Sequence, residues 1–358
     1  MTAPTTQRRD ELDARLREYH QQGLDDVLEL LDYLRSPGDS VIAGGSLSIG
    51  LGNRLSDVDM VIVGEATNTS VVPLQHWVGG LRVDAWTRSV GAVDALFAEA
   101  EAALAAPQPL LRTFGNTEQE QQLKLLHRIA FGVVIDGDPV QPATARPAQQ
   151  TAADLLTREY AERLRESALI AQLAERAGRA RTAAFSARQA VEEALHAALH
   201  AGGVPFSGDK WLQEQLGAAP ELAGLHARFL DLPREPAEVG AFVAEALATA
   251  EALLGLELSL TALTAQLSWT LRPDLALLPL SGEQVLVEPS AGAAWTLDAA
   301  DADAWQELGL GDGDARVPHP ARAAAEGLCL RLHERGLATP AWPSGVAVSS
   351  LTITQEVQ

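Results

Sequence analysis

The sequence predicts an α+β protein in three successive parts. These are a small mixed-sheet domain over residues 1–145, a helical bundle over 152–268 and a small α+β module over 269–343, with 344–358 as a tail. Three observations carry this prediction. Short apolar segments bounded by glycine and proline recur between helical patterns up to about residue 140. Beyond the stretch PVQPATARPAQQTAA at 139–153, read as a linker, the chain is rich in Ala, Leu and Glu at helical spacing. After Leu271-Arg272-Pro273 short β-type runs return, followed by further helical pattern. No internal repeat is evident.

Taken in order, residues 8–35 read as two amphipathic helices. Leu12, Leu16 and Tyr19 line the first, and Leu24, Val27, Leu28, Leu31 and Leu34 line the second. Pro37-Gly38-Asp39 breaks the pattern. A strand over 40–43 feeds Gly44-Gly45-Ser46, and further strands are expected over 58–63 and 81–86. Helices over 92–106 and 117–130 precede a closing strand and turn over 132–138. In the bundle, Leu156, Tyr160, Leu164, Ala168 and Leu169 mark one helix, with others over 180–202, 209–217, 220–231 and 236–267. A hairpin of Val285-Leu286-Val287 with Ala294-Trp295-Thr296-Leu297 is expected ahead of helices near 299–308 and 320–335.

Composition excludes several function classes. Hydrophobic residues make up 47% of the 358, enough for buried cores and too many for a disordered chain. The single cysteine, Cys329, rules out an intramolecular disulfide and a cysteine-rich zinc site, and is read as a small buried hydrophobe. No apolar run approaches the ~18 residues of a membrane span. The opening MTAPTTQRRDELDARL lacks an apolar stretch after its arginines, so a signal peptide is not expected and the cytoplasm is the expected compartment. The 48 acidic residues outnumber 27 basic ones, for a net charge of −21. That balance argues against a grip on long nucleic acid and favours a small, cationic or peptide partner.

The chemistry concentrates in Val41-Ile42-Ala43-Gly44-Gly45-Ser46 and Asp57-Val58-Asp59-Met60-Val61-Ile62-Val63. Side chains alternate along a strand, so Asp57 and Asp59 project to one side and Val58, Met60 and Ile62 to the other, into a core. Paired carboxylates are hard oxygen donors suited to Mg²⁺. Asp84, in Leu81-Arg82-Val83-Asp84-Ala85-Trp86, adds a third from another strand. Such a triad is able to hold two metal ions flanking a phosphoryl displacement. Gly44 and Gly45 permit close backbone approach to a polyphosphate, and the Ser46 hydroxyl supplies a hydrogen bond to it.

Gly-Gly-Ser, a gap, Asp-Val-Asp in an apolar strand and a later strand Asp together resemble the polymerase-β-type nucleotidyltransferase superfamily. The resemblance covers residues 40–90 and, more loosely, 91–140, where Leu125-Leu126-His127-Arg128-Ile129 ahead of Val133-Val134-Ile135-Asp136-Gly137-Asp138 is similar to the end of such domains. It implies a transferase moving a nucleoside monophosphate from a nucleoside triphosphate, ATP first, to an acceptor hydroxyl. Asp57 and Asp59 would bind both magnesium ions, and Asp84 would complete the catalytic one and serve as base. Gly44, Gly45 and Ser46 would contact phosphates. Many relatives carry an arginine shortly after the serine, where this chain reads Ser46-Leu47-Ser48-Ile49, which leaves Arg54 as its replacement. A non-catalytic copy that binds a nucleotide or peptide is the alternative.

Outside that segment, Lys124 and Arg128 read either as phosphate contacts or as a solvated helix face. His196 and His200, at i and i+4, have metal-compatible spacing without an apparent third ligand. Val204-Pro205-Phe206-Ser207-Gly208-Asp209-Lys210-Trp211-Leu212 resembles the helical C-terminal domain of kanamycin-type nucleotidyltransferases, which implies an acceptor-binding wall and an antibiotic or other small hydroxylated acceptor. By the same resemblance Glu192 or Glu193 is a candidate base, with surface glutamates as the plainer alternative. Arg188 and His196 lie too far apart for the ribonucleases of related bundles. The pattern through Trp295, Trp305 and Leu332-His333-Glu334-Arg335-Gly336-Leu337 is similar to the winged-helix chaperone of pyrroloquinoline quinone assembly, which implies a precursor-peptide acceptor.

Overall fold

Alternation along one central strand sorts the N-terminal part into two faces. The computed structural model describes residues 5–65, 72–106, 110, 117–205, 209–217, 219–308 and 316–353. Its first elements are α1 (Thr5–His20), α2 (Leu24–Leu30), β1 (Ser40–Gly44), α3 (Gly45–Ser48), β2 (Val58–Gly64), β3 (Leu74–Val78), β4 (Leu81–Ser89), α4 (Val90–Ala105), α5 (Thr117–Phe131) and β5 (Val133–Asp136). The strands form one sheet in the order β3-β4-β2-β1-β5. β2 runs parallel to β4 and antiparallel to β1. Val58, Met60 and Ile62 of β2 pack with Leu12 and Leu16 of α1 and Leu24 and Val27 of α2. Val61 and Val63 pack on the other face with Phe97 of α4 and Leu126 and Ile129 of α5. The sheet is thus held between two helical layers, each sealed by the side chains that alternation sends to it.

The next helices are α6 (Ala148–Arg176), α7 (Ala180–Ala201), α8 (Leu212–Leu216), α9 (Pro220–Phe229), α10 (Pro236–Leu254) and α11 (Leu260–Thr264). The linker expected over 139–153 ends earlier than its composition suggests, because α6 begins at Ala148. Ala152, Ala153 and Leu155 already pack with α4 and α5, and Tyr160 to Ala174 of the same helix pack in the bundle. Alanine and glutamine are good helix formers, and proximity to Pro147 disguised them as linker. The single helix expected over 236–267 is divided. Gly255, at φ +66°, ends α10 by donating its N–H to the Glu251 carbonyl (2.7 Å), and Ser259 caps α11 by accepting from Ala262 N–H at 3.3 Å.

Beyond α11 come β6 (Ser268–Leu271), β7 (Ala276–Leu280), β8 (Glu283–Glu288), β9 (Ala293–Leu297), α12 (Ala299–Glu307), β10 (Arg316–Pro318), α13 (Ala323–Glu334) and β11 (Ala338–Ala341). β7, β8 and β9 form an antiparallel meander, so the expected hairpin gains a third strand. β6 pairs with both β10 and β11. One apolar cluster runs without interruption from Leu164 and Leu195 in the bundle through Trp269, Leu286 and Trp305 to Val346. The tail expected over 344–358 is corrected as far as residue 353. Val346 is buried, Leu351 and Ile353 pack against the bundle core, and Thr352 N–H donates to the Leu254 carbonyl at 3.0 Å. Residues 354–358 lie outside the described part. Among the described residues, no helix is long and apolar enough to cross a membrane.

Candidate functional site

The strand register assembles a row of residues across the sheet. Gly44 at the end of β1 pairs with Asp59 of β2, Asp59 with Asp84 of β4, and Asp84 with Gln75 of β3. Leu81, Val83 and Ala85 of β4 face the α1–α2 layer, so Arg82 and Asp84 face the opposite side with Asp59. On that side α4 and α5 cover Val61 and Val63 further along β2. Asp57 precedes β2 by one residue, its side chain 42% exposed, whereas those of Asp59 and Asp84 are 13% and 7% exposed.

The glycines are required by this packing. Gly45 adopts φ +76°, a left-handed conformation that side chains disfavour, and a Cβ there would collide with the Asp59 carboxylate. A Cβ on Gly44 would meet Arg128 Cγ at 2.8 Å. The backbone therefore passes directly over the acid and enters the short α3. Ser46 is buried, with its Oγ 3.4 Å from Ser56 Oγ, and its carbonyl accepts from Leu51 and Gly52 N–H, both at 3.0 Å. Arg54 is exposed in the turn ahead of Ser56.

Two arginines answer the acids. Arg128, near the end of α5, places Nη2 3.0 Å from Asp59 Oδ1 and lies over the Trp86 ring at 4.4 Å. Arg82 donates from Nε to Asp84 Oδ1 at 2.9 Å and from Nη2 to Oδ2 at 2.5 Å, with Asp57 Oδ2 3.8 Å away. Burial raises the Asp59 pKa above the ordinary carboxylate value; Arg128 opposes that rise, and the charges of Asp57 and Asp84 add to it. Hydrogen bonding to Asp84, then its charge, raises the Arg82 pKa.

Among the described residues no three acids or histidines close on one point as a finished metal cage. Asp59 and Asp84 are turned instead onto their arginines. The donors nevertheless fit Mg²⁺. They are hard carboxylates, Asp57 and Asp84 both approach a single cationic group, and magnesium takes one or two protein carboxylates with water and substrate phosphates completing its shell.

The bundle candidates are placed elsewhere. His196 and His200 stack on Tyr160, with ring centroids 4.4 and 5.3 Å away, in a buried aromatic cluster. Glu192 pairs with Arg188 at 3.4 Å and lies 3.7 Å from His226. Glu193 accepts from Gln189 Nε2 at 3.2 Å and lines a polar cavity of about 100 Å³ with Arg163, Glu166 and His333, none of which belongs to the acid row. Trp211 is buried and Lys210 lies over its ring at 5.1 Å, while Phe206, Ser207 and Gly208 fall outside the described residues. Sequence reasoning missed Arg82 and the pairing of Arg128 with Asp59. The first had a signal, since Arg82-Val83-Asp84 puts two opposite charges on one strand face.

A solved structure is similar to this chain. It is a nucleotidyltransferase-like protein from Exiguobacterium sibiricum 255-15, 14% identical, with a TM-score of 0.29 over 64% of this chain and 75% of that one. No family model matches the sequence, and no curated protein matches it.

Proposed function

We propose that this protein is a magnesium-dependent nucleotidyltransferase that moves a nucleoside monophosphate from a nucleoside triphosphate, ATP first, to an acceptor hydroxyl. The observation that carries the reading is the row Gly44–Asp59–Asp84, with Asp57 at its open end and a glycine-bounded turn directly over Asp59. Asp57, Asp59 and Asp84 would hold the magnesium, which supplies charge neutralisation of the triphosphate. Gly45 and Ser46 bring backbone and hydroxyl donors to the phosphate oxygens. Arg82 orients both oxygens of Asp84, whose carboxylate takes the proton of the acceptor hydroxyl. The acceptor oxygen bonds to the α-phosphorus, the bond to the bridging oxygen breaks, and pyrophosphate leaves. The acceptor is a small hydroxylated molecule such as an antibiotic, or a precursor peptide, and the acid-rich chain favours a cationic one.

The test is pyrophosphate release from each labelled triphosphate with Mg²⁺ and candidate acceptors. The Asp57→Asn/Asp59→Asn double variant should lose at least about a thousandfold in rate, the scale of removing a main electrostatic contribution, while keeping its circular dichroism spectrum. Activity surviving in that variant would sink the assignment. The pairing of Arg82 and Arg128 with the acids favours a second reading, a nucleotide-binding protein without turnover. It predicts saturable nucleotide binding with no pyrophosphate under any acceptor.

A further inference from the structure

Trp77 of β3 is 64% exposed on the wall of the acid row. Alternation fixes which wall. Val78 packs towards the α1–α2 core and His76 meets Tyr33, ring centroids 5.7 Å apart, so Gln75 and Trp77 face the other way. Trp77 is in register with Arg82, and Gln75 with Asp84. The carboxylate face therefore continues outward, past the ion pairs, onto an open indole and an exposed amide. Among the described residues, the Trp77 indole makes no ring contact or side-chain hydrogen bond.

Resting on the transferase reading above, we infer that Trp77 stacks on the nucleobase of the bound triphosphate, with Gln75 beside it to meet the base edge. β3 lies two strand spacings from β2, roughly 10 Å, the scale on which a nucleotide reaches from phosphate to base. The base is the one obligatory planar, uncharged part of the substrates, whereas an acceptor defined by its hydroxyl has no required flat face. Every base offers a π-face, so the indole supplies affinity, and the Gln75 amide, both donor and acceptor, supplies preference.

The experiment compares wild type, Trp77→Ala and Trp77→Phe by titration calorimetry with Mg²⁺. The probes are ATP, GTP, CTP and UTP, and inorganic tripolyphosphate, which has phosphates and no base. The Ala variant should lose about tenfold or more in affinity for the preferred nucleotide and Phe should restore most of it. Tripolyphosphate should bind all three proteins alike. Nucleotide affinity unchanged in Trp77→Ala, or tripolyphosphate affinity falling in parallel, overturns the stacking role and leaves the transferase reading standing. Wild type binding none of the probes overturns both. Because Trp77 is exposed, the Ala variant should keep the wild-type melting temperature, which separates a local loss from misfolding.

Discussion

At the scale of single residues, Asp59 is the acid of the row whose ionisation burial opposes. It is buried beside two other acids, and Arg128 is the principal influence keeping its carboxylate charged. A raised folded pKa means that ionising Asp59 costs stability, so stability falls as pH rises from the ordinary carboxylate value through the raised one. On the transferase reading proposed above, cation binding needs the ionised form, so activity should rise through the same window. Arg128→Ala removes the opposing charge and should move the acid limb of the pH–rate profile about one unit or more to the alkaline side. Arg128→Lys keeps a charge and should move it less. Superimposable profiles for wild type and Arg128→Ala would show that another group controls the limb. The same arginine lies over Trp86, so its loss also removes a cation–π contact and loosens the site's floor.

At the scale of elements, α5, α6 and α7 meet through buried imidazoles. His127 of α5 and His200 of α7 are pushed down to about 3, and His196 to about 4, chiefly by burial. The groups facing them reinforce this: Arg128 and His200 act on His127, His226 on His196, and His196 on His200. The carbonyl of Val204, 3.2 Å from His200 Nδ1, accepts from the ring and opposes the depression without overcoming it. Depressed folded values mean that the unfolded chain takes up protons first as pH falls below the ordinary 6.5. Stability is therefore full above that value and lost below it, by roughly 1.4 kcal/mol per pH unit for each imidazole. Urea midpoints should drop steeply between pH 7 and 5, and a His200→Phe variant should show a shallower slope. A flat midpoint across that range would count against a neutral cluster at this junction.

At the scale of the whole molecule, α6 joins the two cores. Its 29 residues span about 43 Å. Arg158, buried within it, donates to the carbonyls of Ala103 (2.5 Å) in α4's last turn and Ala106 (3.2 Å) at its cap, and pairs with Glu162 at 3.0 Å. Glu162 in turn accepts from Leu110 N–H at 2.8 Å and from Val346 N–H at 3.4 Å. The sheet layer and the C-terminal segment thus share one helix and one ion pair. Removing residues 344–358 takes away Val346, Leu351 and Ile353, uncovers the bundle core they pack against, and should cost roughly 2–4 kcal/mol. The melting temperature should fall by several degrees. An unchanged melting temperature would show that the segment only rests on the surface.

Local chemistry by itself determined the strands at 40–43, 58–63 and 81–86 and the helices around them, because periodicity and glycine placement act within a few residues. It also made the acids, glycines and serine legible as one candidate set. Tertiary structure alone decided three things. β3 is an edge strand with one wet face, so its Leu74-Gln75-His76-Trp77-Val78 carries no strong apolar signal, and only pairing with β4 shows it. α6 crosses between cores, which no composition shift at 139–153 reveals. Arg128 reaches Asp59 across a sequence gap spanned by β4 and α4, and Trp77 joins the row only through register. Spacing fixes which side chains share a face; only the folded sheet and its helices fix which charge stands opposite.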